Sequence, residues 1–274
     1  MKQKIRNILI YTFFFSGIPY LRFLFLRKKG PVVRVLALHD VKESEKVDFV
    51  RFLDFLDRKF NVISPRDFQE KRFDTKKINI LFTFDDGYES WETIVTPELK
   101  RKGWGAYFFI SSGFVQTYGN EEAEKEFCRE QLLISHRKPI SWDGLKKITV
   151  NKKNVVGGHT VNHVSLKELS PEQQYKEIVE CKNTIESILK NGTNTFAYPF
   201  GVPGIDYDVC TMEQVKQAGY TEAFTTKISF VENKLGNFLL SRTCIESATP
   251  SFLMYMLILG VYDILKKLQY MFWK

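Results

Sequence analysis

Cysteine is scarce in this 274-residue chain: Cys128, Cys181, Cys210 and Cys244 stand apart, and no two share C-x-x-C spacing. That excludes a disulfide scaffold, a zinc knuckle and a dithiol redox motif, and leaves small buried hydrophobes as the default reading. Histidine is equally sparse, at four residues. No apolar run reaches the roughly 20 uninterrupted residues that a spanning helix needs. Internal repeats and low-complexity linkers are absent. With 44% apolar residues and only 16 Gly and 9 Pro, neither a disordered chain nor a collagen-like one fits. The length suits one large domain or two small ones.

Acidic residues are missing from positions 1–34, which hold eight basic ones: Lys2, Lys4, Arg6, Arg22, Arg27, Lys28, Lys29 and Arg34. The chain carries a net charge of +8, from 40 Lys+Arg against 32 Asp+Glu, so setting those eight aside leaves a neutral body. A basic nucleic-acid groove is therefore disfavoured, and the excess charge points to a membrane surface. Residues 8–21 read ILIYTFFFSGIPYL, after which Arg22 interrupts and FLFL follows. No small-x-small cleavage site follows the run. Residues 1–30 thus read as a basic, apolar, membrane-associating segment lying in the interface. An uncleaved spanning helix with a snorkelling Arg22 is the alternative. Cations flank the run on both sides, so the membrane side stays open. Residues 251–274 read as an amphipathic helix, with Leu253, Leu257, Val261, Ile264, Leu268 and Met271 at helical spacing. It either packs on the domain or makes a second membrane contact. The expected location is membrane-associated, with cytoplasmic as the alternative.

Residues 31–250 alternate short β-rich runs with helical patterns. Strands are predicted at 32–38, 79–84, 106–110, 154–157, 195–198, 221–226 and 238–244, and helices at 47–59, 88–102, 142–148, 171–190 and 211–218. Ser170-Pro171-Glu172 is a helix start and Gly103 a helix stop. This alternation implies a parallel α/β fold, barrel-like if the sheet closes, and a single catalytic domain.

In such folds chemistry gathers at the C-terminal ends of strands. The first predicted strand ends at His39-Asp40, the second at Asp85-Asp86-Gly87, the fourth at Gly158-His159 and the fifth at Pro199-Phe200-Gly201. His159 and His163 are four apart, a spacing that on a helical turn lets both rings reach one ion. Asp86 would complete a His₂–carboxylate set, which leaves a coordination position open for water. Asp85 would then stay ionised beside the cation and take a proton from that water. The bland reading of Asp85-Asp86-Gly87 is a tight turn. It does not explain the histidines on two other strand ends.

TFDDGY (83–88), HTVNH (159–163) and FAYPFG (196–201) resemble the three main motifs of the polysaccharide deacetylases, the nodulation-type carbohydrate esterase family four. SWDGL (141–145) and AGYTEAFTT (218–226) resemble that family's connecting segments. The resemblance spans about residues 31–245. It implies a distorted (β/α) barrel of about seven parallel strands and hydrolysis of the N-acetyl group of an amino sugar. It also implies one divalent metal ion, zinc first, held by Asp86, His159 and His163, with Asp85 as base. Phe200 stands where the family usually has Tyr, and its backbone N–H would hold the oxyanion. Ala197 stands where the family often has an Arg that braces the base; Arg242 is the candidate substitute. No His follows His163, whereas VLALHD places His39 on the first strand. This resembles the permuted branch that includes poly-N-acetylglucosamine deacetylases, so His39 is expected to act as general acid. Tyr88 and Trp142 read as sugar-stacking or core aromatics, with core favoured for Trp142. His136 reads as a surface residue without a role.

The expected partners are an N-acetylated glycan, polymeric or lipid-linked, and a membrane surface, with no nucleic acid. A deformylase of a lipid-linked sugar and a non-catalytic carbohydrate-binding relative are the alternatives.

Overall fold

The computed structural model describes residues 16–231, 236–246 and 249–263. Residues 1–15 of the expected N-terminal segment, and 264–274 of the expected C-terminal helix, lie outside the described residues. Helix α1 (Ile18–Arg27) leads into strand β1 (Val32–Leu38). Then come α2 (Lys46–Lys59), β2 (Asn61–Ile63), α3 (Pro65–Gln69), β3 (Ile78–Asp86), α4 (Thr96–Arg101) and β4 (Ala106–Ile110). Helices α5 (Ser112–Gln116), α6 (Glu121–Glu130) and α7 (Trp142–Val150) precede β5 (Val155–Gly158). The chain continues through α8 (Pro171–Leu189), β6 (Thr195–Ala197), α9 (Val209–Gln217), β7 (Glu222–Phe224), β8 (Arg242–Cys244) and α10 (Ser251–Ile258). No helix among the described residues is long and apolar enough to cross a membrane.

The strands run parallel in the order β7-β6-β5-β4-β3-β1-β8, with β2 added beside the first half of β3. The ends of this sheet approach each other: the Leu240 N–H donates to the Ala223 carbonyl and the Thr225 N–H to the Leu240 carbonyl, just before β8 joins β1. The result is a nearly closed barrel of seven parallel strands surrounded by helices, as the α/β reading expected. Side-chain alternation along each strand builds it. Val33, Val35, Leu81, Tyr107, Phe109 and Phe224 fill the interior. Val32, Leu36 and Leu38 face outward against Phe49, Phe52, Leu53 and Leu56 of α2, which recur at helical spacing. Arg34 also faces outward, yet it is buried, because Asp263 pairs with it at 2.9 Å under the C-terminal helix.

Several local expectations need correction. The helix predicted over 88–102 is broken: residues Trp91–Val95 form a wide turn, in which the Thr96 N–H bonds the Trp91 carbonyl, before α4 starts. Pro97 is the reason, since it has no N–H and its ring crowds the preceding turn. The predicted strand 238–244 forms a regular strand only over Arg242–Cys244, with a single bridge from Leu240 to Phe224 ahead of it. Strand β2 and helices α3, α5 and α6 had not been anticipated. Of the four thiols, Cys128 and Cys181 are buried, whereas Cys210 and Cys244 are exposed. Ser170 does open α8, with Gln173 completing a reciprocal cap.

Candidate metal centre and active-site cleft

Strand β3 sets the two acids apart. Asp85 continues the inward face of Leu81 and Thr83. Asp86 bends away with φ 83°, and Gly87 follows at φ 117°, where a side chain would be strained and would press on Val115. The motif histidines follow β5. The expected helical turn is absent, which corrects the sequence reading. Residues 159–163 form an irregular bend, with Thr160 at φ 64° and His163 at φ 52°. Such strain persists only where neighbours enforce it. Here Glu177 of α8 accepts the N–H groups of Val161 and Asn162 and the Asn162 amide, and Ser111 bonds the His159 carbonyl. Gly113 lies so close to Val161 that a Cβ would sit 2.7 Å from its carbonyl oxygen.

This bend brings the imidazole centres to 5.0 Å. The Nε2 atoms of His159 and His163 lie 3.6 and 3.4 Å from Asp86 Oδ1. Those distances are long for hydrogen bonds, and Asp86 Oδ1 is a buried oxygen with no hydrogen-bond partner among the described residues. The other nitrogens explain the arrangement. His159 Nδ1 is 2.7 Å from the Ala197 carbonyl and His163 Nδ1 is 3.3 Å from the Gln131 carbonyl. A carbonyl only accepts, so Nδ1 carries the proton in each ring and each Nε2 turns a lone pair toward Asp86. Burial pushes the His159 pKa down to about 4, which keeps the ring neutral. Three lone pairs converging in a buried space repel one another unless a cation sits between them. The three donor atoms lie within 4.8 Å of one another, and the set suits a divalent ion. Tyr88 completes the cluster by donating its hydroxyl to Asp86 Oδ2 at 2.7 Å. At 3% exposure it is no sugar-stacking platform, and burial pushes its pKa far above the usual phenol value, so it remains a donor. Trp142 is half-buried against the core.

Asp85 is paired elsewhere. Its Oδ1 accepts from Arg242 Nη1 at 2.7 Å, inside the barrel, and Arg242 also bonds the Thr83 hydroxyl and the Thr225 carbonyl. Burial acts to raise the Asp85 pKa, but Arg242, His159 and His39 outweigh it and hold the carboxyl below its ordinary value. His39 follows β1 on the neighbouring rim, exposed, and its carbonyl accepts from Trp91 Nε1 at 3.0 Å. Phe200, with φ 58°, packs edge-on with His163, the ring centroids 4.7 Å apart. It is 41% exposed.

One cleft of about 870 Å³ is lined by all eight residues singled out from the sequence: His39, Asp85, Asp86, Tyr88, His159, His163, Phe200 and Arg242. Its wall also includes Asp40 and Arg137, which sequence reading missed. Ser90 donates to Asp40 at 2.6 Å and Arg137 pairs with it at 3.1 Å, which braces the segment after His39. Only the adjacency of Asp40 to His39 hinted at this. His136 needs correction as well: it is half-buried and 3.0 Å from the buried Glu124 of α6, so it packs the loop that carries Arg137.

Comparison with known proteins bears on the family and the fold. The sequence model of the family described as Polysaccharide deacetylase matches residues 72–223, more than half of the chain. The Bacillus subtilis (strain 168) protein YxkH is 24% identical over 224 residues, covering 78% of this chain and 72% of that protein. The Streptococcus pyogenes deacetylase PplD, solved in complex with acetate, superposes with a TM-score of 0.66 at 19% identity, over 83% of this chain and 98% of its own. IcaB from Ammonifex degensii superposes with a TM-score of 0.60 at 22% identity, over 79% of this chain and 92% of its own. These structural likenesses extend to the fold, while the family assignment rests on the sequence match. The chain belongs to the polysaccharide deacetylase family, carbohydrate-directed hydrolases that cleave an amide bond.

Proposed function

We propose that this protein removes N-acetyl groups from amino sugars of a glycan in a metal-dependent reaction, with zinc as the ion that best suits the donors. The observation that carries the proposal is the convergence of Asp86 Oδ1 and two Nε2 lone pairs beside a separately paired Asp85, all on one open cleft. When bound, the ion supplies Lewis-acid polarisation of the amide carbonyl and lowers the pKa of water at the site.

The chain's own residues supply the rest. Asp85, kept ionised by Arg242, takes the proton of the attacking water. Its pairing through Oδ1 fixes the carboxylate's orientation, which is the bracing role proposed for Arg242. The Phe200 N–H has no acceptor among the described residues and supports the oxyanion as it develops, a contribution of about 3–4 kcal/mol in comparable sites. His39 gives a proton to the departing amine as the C–N bond breaks. Acetate and a free amino sugar leave the cleft. The proposal is tested by measuring acetate released from N-acetylglucosamine oligomers before and after chelation and zinc add-back. Loss and recovery of turnover is the expected result, and chelator-insensitive turnover would refute it.

A further inference from the structure

Helix α1 sits at the opposite end of the barrel from the cleft. It precedes Val32, the first residue of β1, while His39 follows the last, and the seven residues between them span about 20 Å. Arg27 Nη1 bonds the Lys76 carbonyl, just ahead of β3, so α1 lies beside the beginnings of two strands. Its orientation is fixed from within: Phe23 is buried, and Arg22 pairs with Asp263 at 3.1 Å and bonds the Gly260 carbonyl. Arg22 therefore faces the protein and is not the snorkelling cation of the alternative, spanning-helix reading. Outside are Tyr20 and, in one stripe at i, i+3 and i+7, Ile18, Leu21 and Phe25, with Leu21 at 62% and Phe25 at 58% exposure. Exposed Arg27, Lys28, Lys29, Lys76 and Lys77 rim the stripe, and Lys29 lies over the Phe25 ring. Asp74, two residues ahead of Lys76, is engaged by the backbone N–H groups of Lys76 and Lys77.

From this placement we infer that α1 and its lysine rim dock the protein on an anionic bilayer, with the catalytic cleft turned away from it. Apolar side chains enter the acyl boundary while the cations meet lipid phosphates. The sequence of residues 1–15 adds Lys2, Lys4 and Arg6 to the same end of the chain. The orientation also names a substrate class for the cleft, a clause that rests on the deacetylase proposal. A glycan polymer standing off the membrane reaches the cleft, whereas an amino sugar attached directly to a lipid is held a barrel's length away.

Vesicle co-sedimentation of the full chain tests the docking surface. Phosphatidylcholine vesicles containing phosphatidylglycerol should capture the protein, and pure phosphatidylcholine should capture at least tenfold less. L21E/F25E and, separately, K28E/K29E should each lower partitioning at least tenfold, with unchanged acetate release from soluble oligomers as the check on folding. Equal capture by both vesicle types, or undiminished capture of the folded K28E/K29E variant, overturns the inference. Vesicle-bound enzyme should deacetylate added oligomers at the free rate and spare a lipid-anchored acetamido sugar in the same bilayer. Preference for the anchored sugar overturns the orientation. An inactive but vesicle-bound protein would overturn the deacetylase proposal alone.

Discussion

Arg242 Nη1 and Asp85 Oδ1 meet at 2.7 Å inside the barrel, brought together by strands β8 and β3, which flank β1 on either side. Both side chains are almost fully withdrawn from water. Arg242→Ala leaves the Asp85 charge unpaired, which for buried pairs costs about 3–5 kcal/mol. It should lower the urea midpoint and reduce kcat strongly while leaving metal content unchanged. Arg242→Lys should restore part of the stability and less of the rate, because a lysine cannot reproduce the bonds to Thr83 and Thr225.

His39 lies outside the metal cluster, so its loss should separate chemistry from metal binding. His39→Asn is expected to keep one ion per chain and to lose about 10²–10⁴-fold in kcat, the usual weight of a general acid. Substrates with a better leaving amine should suffer less. Wild-type kcat in this variant would remove His39 from the reaction.

Tyr88→Phe tests how the carboxylate of Asp86 is aimed. The hydroxyl occupies Oδ2 and leaves Oδ1 facing the histidines. Removing such a supporting hydrogen bond typically weakens metal affinity about 10–100-fold. Competition with a chromophoric chelator measures that loss directly, and unchanged affinity would assign Tyr88 to packing alone.

The pH dependence of stability follows from His159. Its pKa is about 4 in the folded chain, from burial, against 6.5 as the ordinary value. Between these values the unfolded chain binds more protons, so the metal-free protein should gain stability as pH rises from about 4 to 6.5 and lose it on acidification. Asp85, also held below its ordinary value, acts in the same direction at lower pH. Urea titrations of chelated protein across this range check the sign, and His159→Asn should flatten the upper part of the profile.

The strand ends were legible because each core strand is a short apolar run that stops at a polar residue, as at Leu38-His39 and Phe84-Asp85. That was enough to place His39, Asp85, Asp86 and His159 on one rim. The local form of the histidine motif was not legible. A spacing of four suggested a helical turn, but the bend depends on positive φ at Thr160 and His163 and on Glu177, which arrives from the next long helix. The sugar-stacking and core readings of Tyr88 stayed open for a similar reason: adjacency to the acids does not reveal burial, and the structure places Tyr88 in the core. Arg137 and Ser90 left no signal, since their bonds to Asp40 join segments far apart in sequence. Arg22 read as a break in an apolar run, and only its pairing with Asp263 shows why it is there.

The proposed reaction depends on a cation held by Asp86, His159 and His163. Metal stoichiometry by mass spectrometry, on the purified wild type and on Asp86→Ala, His159→Ala and His163→Ala, with acetate release assayed on the same samples, tests this most directly. About one ion per wild-type chain, with metal and turnover lost together in all three variants, is the predicted result. Full metal content in Asp86→Ala, or undiminished acetate release from metal-free protein, would contradict it.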